Sequence, residues 1–343
     1  MKKLVISIVM LLSIVGGFLT GYPQGVLANG ANFSVNPILS DNQKTENISY
    51  FDFELLPKEK KTIEIEISNQ QVTGKEMTYG IEVNTATTNI NGVIDYTEKD
   101  RKQDESLQIS FLDIVTVEPT VTVPRGETVR VPIQIEMPDE TFEGILLGGI
   151  TVTELDERSE SEARQITNKF SYSIGIVLSQ GDVSPPIELN LLGVTKSQMN
   201  SRTIISGTIQ NSVASIVSNL EVDARIYRKN QDKPLFHRVE TGMRMAPNSN
   251  FDFGVGTNDQ PLKAGQYVMN IVATVGEQTW EWSEGFEITA KEAKELNDAA
   301  VALEIDHTSV YLWIAVGLVF ALLIVIVLLV LHYRGGNRNE KKN

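Results

Sequence analysis

Alternation with a period of two runs through this chain and constrains its fold more than any other feature. In Tyr50 to Leu55 the residues Phe51, Phe53 and Leu55 face one way, and Tyr50, Asp52 and Glu54 face the other. After a break at Pro57 and Lys58, Ile63, Ile65 and Ile67 share one face and Thr62, Glu64 and Glu66 share the opposite one. Successive side chains of a strand point to opposite faces of a sheet, so this pattern specifies half-buried antiparallel strands. Further runs follow at Thr78 to Thr85, Leu107 to Val117, Val121 to Val123, Thr128 to Glu136, Ile145 to Thr153 and Phe170 to Leu178. Turn residues separate them, among them Asn91 with Gly92, Arg125 with Gly126 and Pro138 with Asp139. Short strands at this spacing predict an all-β fold of the immunoglobulin-like β-sandwich type.

A second set of runs predicts a second sandwich: Ile187 to Val194, Thr203 to Gln210, Leu220 to Tyr227, Phe236 to Met245, Asn250 to Val255, Tyr267 to Val275 and Gln278 to Ile288. Within it, Leu262 to Tyr267 has the form of a tyrosine corner, in which Tyr267 hydrogen-bonds back to the backbone. Gly181, Pro185 and Pro186 form a stiff connector between the sandwiches, dividing them into 29–183 and 184–288. The charged segment Glu154 to Thr167 reads as an exposed loop. Past Ile288 the period changes. Thr289 with Glu292 matches a capping box, and Ala293, Leu296, Ala300 and Leu303 recur at helical spacing, predicting a helical stalk over 289–308.

Two apolar stretches set the expected topology. Val310 to Leu331 carries no charge, and as a helix its roughly 22 residues would span about 33 Å, enough for a bilayer core. Tyr311 and Trp313 mark the upstream interface. Arg334, Arg338, Lys341 and Lys342 follow the run, so 310–331 is expected as a transmembrane helix with a cytoplasmic tail at 332–343. Lys2 and Lys3 ahead of the apolar Leu4 to Leu19, with Val26, Leu27 and Ala28 after it, read as a signal peptide over 1–28, with an uncleaved signal anchor as the competing reading. Both readings place the middle of the chain outside the cell. No LPxTG sequence precedes the anchor, so retention rests on the helix.

Between signal and anchor the net charge is roughly −19, which excludes nucleic acid as a partner. Cysteine is absent, so ordinary cores and not disulfides must stabilise the exported modules.

Motifs of catalysis are missing from the sequence. His237, His307 and His332 are far apart, and there is no HExxH, P-loop or GxSxG pattern. Acidic pairs such as Asp95 with Glu98 or Asp104 with Glu105 could serve a glycosidase only across a cleft, and they read as solvated loop residues. Gly144, Gly148 and Gly149 suit close backbone approach or a bulge in an apolar strand. Trp280, Trp282 and Phe286 share one face of a strand and read as core, with sugar stacking as the alternative. Tyr50 and Tyr96, on or beside polar faces, and Asn91 in its turn are the candidate ligand-contacting residues. No catalytic, cofactor or metal residue is predicted.

The segments Phe33 to Gln43 (FSVNPILSDNQ), Ser49 to Asn69 (SYFDFELLPKEKKTIEIEISN), Asn84 to Thr97 (NTATTNINGVIDYT) and Phe142 to Ile150 (FEGILLGGI) resemble the WxL-interacting proteins of Gram-positive bacteria. The resemblance extends to the order of signal, two sandwiches and one C-terminal membrane helix. It implies a non-enzymatic surface protein in the cell membrane, with a peptidoglycan-binding first domain and a host-binding second domain. Secreted WxL-domain proteins and host extracellular proteins are the implied partners. One departure is local: where the family often has Pro-Gly, this chain has Pro57 and Lys58, and the turn survives without glycine if it is type I. A single-pass receptor working through a cytoplasmic partner, or a wall-active hydrolase, are the other readings the sequence leaves open.

Overall fold

The computed structural model describes residues 32–71, 74, 76–99, 101–155, 169–301 and 313–327. Two β-sandwiches follow one another along it. In the first, the sheet β1 (Phe33–Ile38), β3 (Lys60–Asn69), β9 (Thr128–Glu136) and β7 (Val115–Val117) runs in the order β1-β3-β9-β7. It faces a five-stranded sheet of β2 (Phe51–Glu54), β11 (Ser171–Ser179), β10 (Ile145–Leu155), β4 (Met77–Thr85) and β8 (Thr120–Val123), in the order β2-β11-β10-β4-β8. The alternation explains the packing: Phe51, Phe53, Ile63, Ile65, Ile67, Val131, Ile133 and Ile135 all enter one core. Asp52, on the other face of β2, is covered by the preceding loop, where Thr45 Oγ1 donates to its carboxylate at 2.6 Å.

The second sandwich pairs β12 (Leu189–Met199), β13 (Arg202–Asn211) and β16 (Ser249–Gly256) against β15 (Phe236–Met245), β14 (Val217–Arg228), β17 (Gly265–Val275) and β18 (Gln278–Ile288). Lettered A to G in chain order, the sheets are ABE and DCFG. This is the constant-type immunoglobulin arrangement with its D strand moved beside C. The tyrosine corner is present, with Tyr267 Oη donating to the Lys263 carbonyl at 2.6 Å. Trp280, Trp282 and Phe286 are half-buried against the second core, and Phe286 stacks on Tyr267 at 5.6 Å.

Three local expectations are corrected. Leu107 to Val117 is not one strand: Phe111–Asp113 forms a 3₁₀ turn, and Phe111 is fully buried against Gly148. A Cβ at Gly148 would stand 2.2 Å from that ring, so glycine in β10 makes room for it. The turn at Pro57 is type II, since Lys58 at its third position has φ +62° and Glu59 N–H bonds the Leu56 carbonyl at 3.1 Å.

The third correction concerns the expected stalk. A helix, α1 (Ala290–Ala299), forms with its capping box but lies against the second sandwich. Ala293 is buried, Leu296 packs on the core, and Asn297 brackets Leu262 through both its N–H and its carbonyl, each at 2.9 Å. Ala293 and Leu296 thus cover a sandwich and do not project from it, and positions 302–308 of the expected stalk lie outside the described residues. Glu292 is held down to about 2 by Lys196 and by the Thr289 cap.

Residues 313–327 form a second helix, α2, with large apolar side chains exposed along it, Trp313 at 73%. Among the described residues no helix is long and apolar enough to cross a membrane. The expected signal over 1–28, most of the loop after Glu154, the rest of the apolar run and the basic tail lie outside the described residues.

Left-handed backbone costs a residue with a Cβ about 1–2 kcal/mol, and glycine gives part of that back as unfolded-state entropy. The exposed Lys58–Asp139 pair adds little against this. Lys58→Gly is therefore expected to stabilise the first sandwich by roughly 0.5–1 kcal/mol in urea unfolding. A type I turn would make the same change neutral or destabilising.

Candidate functional site

Between β4 and β7 the chain leaves the first sandwich and docks on the second. The excursion contains a small hairpin, β5 (Thr87–Thr88) and β6 (Ile94–Asp95). Its turn is shaped by Asn89, whose Oδ1 accepts from the N–H groups of Asn91 and Val93, at 3.0 and 3.3 Å. Gly92 takes φ +66° and packs on Met243, and its carbonyl accepts from Arg244 N–H of the second sandwich at 2.7 Å.

The docking is polar at its centre. Thr88 is fully buried, with its hydroxyl 2.7 Å from that of Ser249 and accepting from Ala246 N–H at 3.0 Å. Arg101 donates through Nη1 to the Thr88 carbonyl and to Glu98, both at 2.8 Å, and through Nη2 to the Asn250 carbonyl at 2.7 Å. Asp104 is 8% exposed. Its carboxylate accepts from Gln210 at 2.8 Å, Asn250 at 2.5 Å, and both the N–H and hydroxyl of Ser106 at 2.9 and 2.7 Å. Asn248 adds bonds to Ser106 and to the Ser212 carbonyl. Burial pushes the Asp104 carboxyl up, but the hydrogen bonds from Asn250, Ser106 and Gln210 outweigh it and hold it below the usual value. Asp104 is therefore no solvated loop residue, as its setting in a polar segment predicts, but the centre of the contact between the modules.

Apolar contact continues beside it. Ala86 and Leu147 of the first sandwich are buried with Ala246 of the second, and Ile145 N–H donates to the Ala214 carbonyl at 2.7 Å. The Pro185 connector is pinned here as well, its carbonyl accepting from Ser215 Oγ at 2.6 Å. A groove of about 380 Å³ opens at this seam, lined by Leu107, Ile109, Phe142, Leu146, Pro185 and Val213.

Of the candidate ligand-contacting residues, the structure brings Tyr50 and Tyr96 together and sets Asn91 apart. Gly149 and Gly175 are cross-strand partners in β10 and β11, and they leave a trough on the sheet. Tyr96 lies in it: a Cβ at Gly149 would be 2.6 Å from its ring, and one at Gly175 would be 3.0 Å from its hydroxyl and 3.8 Å from Tyr50 Cβ. The Tyr96 carbonyl accepts from Asn84 and Thr151, at 2.8 and 3.2 Å. Burial pushes its phenol up against the opposing pull of Arg244, and Tyr50 adds to the rise. Tyr50 is 37% exposed. Asn91 is exposed at the tip of the docking hairpin. Sequence reasoning missed Arg101, Gln210, Asn248 and Asn250, whose partners lie far along the chain.

Two family models match the chain. Residues 33–154 match the WxL Interacting Protein peptidoglycan binding domain, and residues 161–298 match the WxL Interacting Protein host binding domain. The chain belongs to the WxL-interacting protein family. In this WxL-interacting protein the host-binding match begins upstream of β11, a strand that hydrogen-bonds within the first sandwich.

Comparison with curated protein sequences finds no match. Among solved structures, the class 5 fimbriae chaperone CfaA is 13% identical, with 74% of this chain and 99% of that one covered at a TM-score of 0.29. The Pseudomonas aeruginosa CupB2 chaperone is 12% identical over 67% and 92%, at 0.27. The E. coli chaperone DraB is 14% identical over 67% and 90%, at 0.25. Likeness at this level bears on neither partner nor activity.

Asp104→Ala would leave Gln210 and Asn250 donors without their acceptor, and is expected to cost about 2–4 kcal/mol in urea unfolding. A carboxyl held below its unfolded value gives stability that is complete above the unfolded value and is lost as pH falls through the folded one. Stability should therefore fall on acidification below about pH 4, and Asp104→Asn should flatten that decline. An identical acid profile in the variant would contradict this role.

Proposed function

We propose that this WxL-interacting protein is a non-enzymatic scaffold at the Gram-positive cell surface. Its first sandwich binds peptidoglycan and its second binds a protein ligand. The observation that carries the reading is the succession of the two family modules along the two sandwiches, in one unbroken order. Secreted WxL-domain proteins and host extracellular proteins are the partners it would serve. The apolar run 310–331 would hold it in the cell membrane with the sandwiches outside. In support, α2 exposes Leu318, Phe320 and Leu322 as well as Trp313, and a helix without a polar face gains by leaving water.

On the first sandwich the tyrosine pair is the surface we assign to glycan contact. Tyr50 offers an exposed ring for stacking on a sugar, and Tyr96, seated over Gly149, sets the floor beside it. Asn91, at the hairpin tip, offers an amide to a ligand that reaches both modules.

Sedimentation with insoluble peptidoglycan tests the reading. The purified two-sandwich protein should pellet with the wall and release no soluble muropeptides, and Tyr50→Ala should reduce the bound fraction several-fold. Protein that stays in the supernatant would overturn wall binding, and released muropeptides would make it an enzyme.

A further inference from the structure

Each sheet in a sandwich ends in strands whose outer N–H and carbonyl groups lack a strand partner, and proteins normally blunt such edges. Here nearly all are blunted. β2, β7 and β8 have four residues or fewer, and β1 carries Pro37. β12 is bulged at Leu192, and β15 has two register irregularities against β14. β16 is capped by arginines: Arg101 on the Asn250 carbonyl and Arg238 on the Gly254 carbonyl, at 2.7 and 3.0 Å.

The edge formed by β18 is different. It is 11 residues long, contains no proline, and pairs with β17 in unbroken register from Val275↔Gln278 to Gly265↔Ile288. Lys196 Nζ donates to the Glu287 carbonyl at 2.9 Å, which shows that this carbonyl points away from β17. Backbone direction repeats every second residue, so Thr279, Glu281, Ser283 and Gly285 also turn their N–H and carbonyl groups outward. Among the described residues no hydrogen bond reaches those groups.

Charge indicates what would fit there. Glu277, Glu281, Glu284 and Glu287 lie along β18 and its turn, the strand has no lysine or arginine, and the adjoining β17 carries no charge. Those glutamates form no ion pair among the described residues. Lys229, near the Glu287 end, is occupied with Gln266 at 2.6 Å. A second copy of the strand would bring more glutamates against these. Half-buried Trp280, Trp282 and Phe286 line the inner side of the edge and offer apolar seats at alternate positions of an incoming strand.

We propose that the β18 edge captures an extended, lysine- or arginine-bearing segment of a partner protein as a fifth strand of the β15-β14-β17-β18 sheet. Main-chain bonds to Thr279, Glu281, Ser283 and Gly285 supply the pairing, and the glutamates select the charge. The inference deepens the reading of the second sandwich as a protein-binding module. Its failure is separable from failure of wall binding, which sedimentation reports independently.

The probe is an 11-residue peptide alternating valine and lysine, with a valine–glutamate peptide as its control, matched in length to β18. Titration followed by tryptophan fluorescence should show saturable binding of the basic peptide alone. Amide exchange should slow at least about tenfold at Thr279, Glu281, Ser283 and Gly285. Ser283→Pro removes an outward N–H that β17 does not use, so it should preserve the circular dichroism and weaken binding at least about tenfold. Ser283→Ala, which loses only the side-chain bond to Asn270, should bind like the parent. Glu281→Lys with Glu284→Lys leaves the backbone intact and should invert the preference toward the acidic peptide. No binding, equal binding of both peptides, full binding by a folded Ser283→Pro, or an uninverted preference in the double lysine variant would each overturn the proposal.

Discussion

The carboxylate of Asp104 is the interaction on which the rest of this structure depends. It belongs to the first sandwich by sequence but draws two of its donors, Gln210 and Asn250, from the second. A buried carboxylate without partners would cost several kcal/mol, so the segment that carries it is stable only where those amides stand. Arg101 works the same way from a few residues upstream, spending one donor on Thr88 and another on Asn250. Hydrogen bonds to charged groups are worth about 1.5–3 kcal/mol each, and several act together here with the buried Ala86, Leu147 and Ala246. The modules are therefore held at one angle, which a Pro-Pro connector alone would not specify.

That rigidity bears on function through geometry. Two binding surfaces at a fixed separation present one effective concentration to a pair of ligands, whereas surfaces on a flexible joint spread it over a volume. The two surfaces proposed above are the tyrosine pair on the first sandwich and the β18 edge on the second. The docking also uses up an edge: the Arg101 contact that locks the modules covers the Asn250 carbonyl of β16. Folding and edge protection are served by the same side chain, and β18 is left as the long regular edge of the second sandwich.

Much of this was legible in the sequence because strands obey a local rule. The alternations around Phe51 and Ile63, the seven runs of the second sandwich and the tyrosine corner follow from side chains two residues apart or from a short turn. The docking segment was not legible for the opposite reason. Nothing near Asp104 distinguishes a solvated carboxylate from one that meets Asn250 almost 150 residues later. Phe111 misled for a related reason: its apolar run looks like a strand, and only the absence of a side chain at Gly148 lets the ring turn inward. The turn at Lys58 shows a further limit, since residue preference predicts type I where the fold enforces a left-handed backbone at lysine. Family resemblance reached the module order, and it could not indicate which polar residues join the modules.

The bonds from Gln210 and Asn250 to Asp104 make the two sandwiches one body. The chain has no cysteine, so two can be introduced without interference, at the exposed positions of Glu118 in the first sandwich and Asp232 in the second. Spin labels at Glu118→Cys and Asp232→Cys would report the distance between the modules by double electron–electron resonance. One narrow distance peak is expected at neutral pH, broadening when Asp104 is replaced by alanine. A broad distribution in the parent protein, unchanged by that substitution, would contradict it.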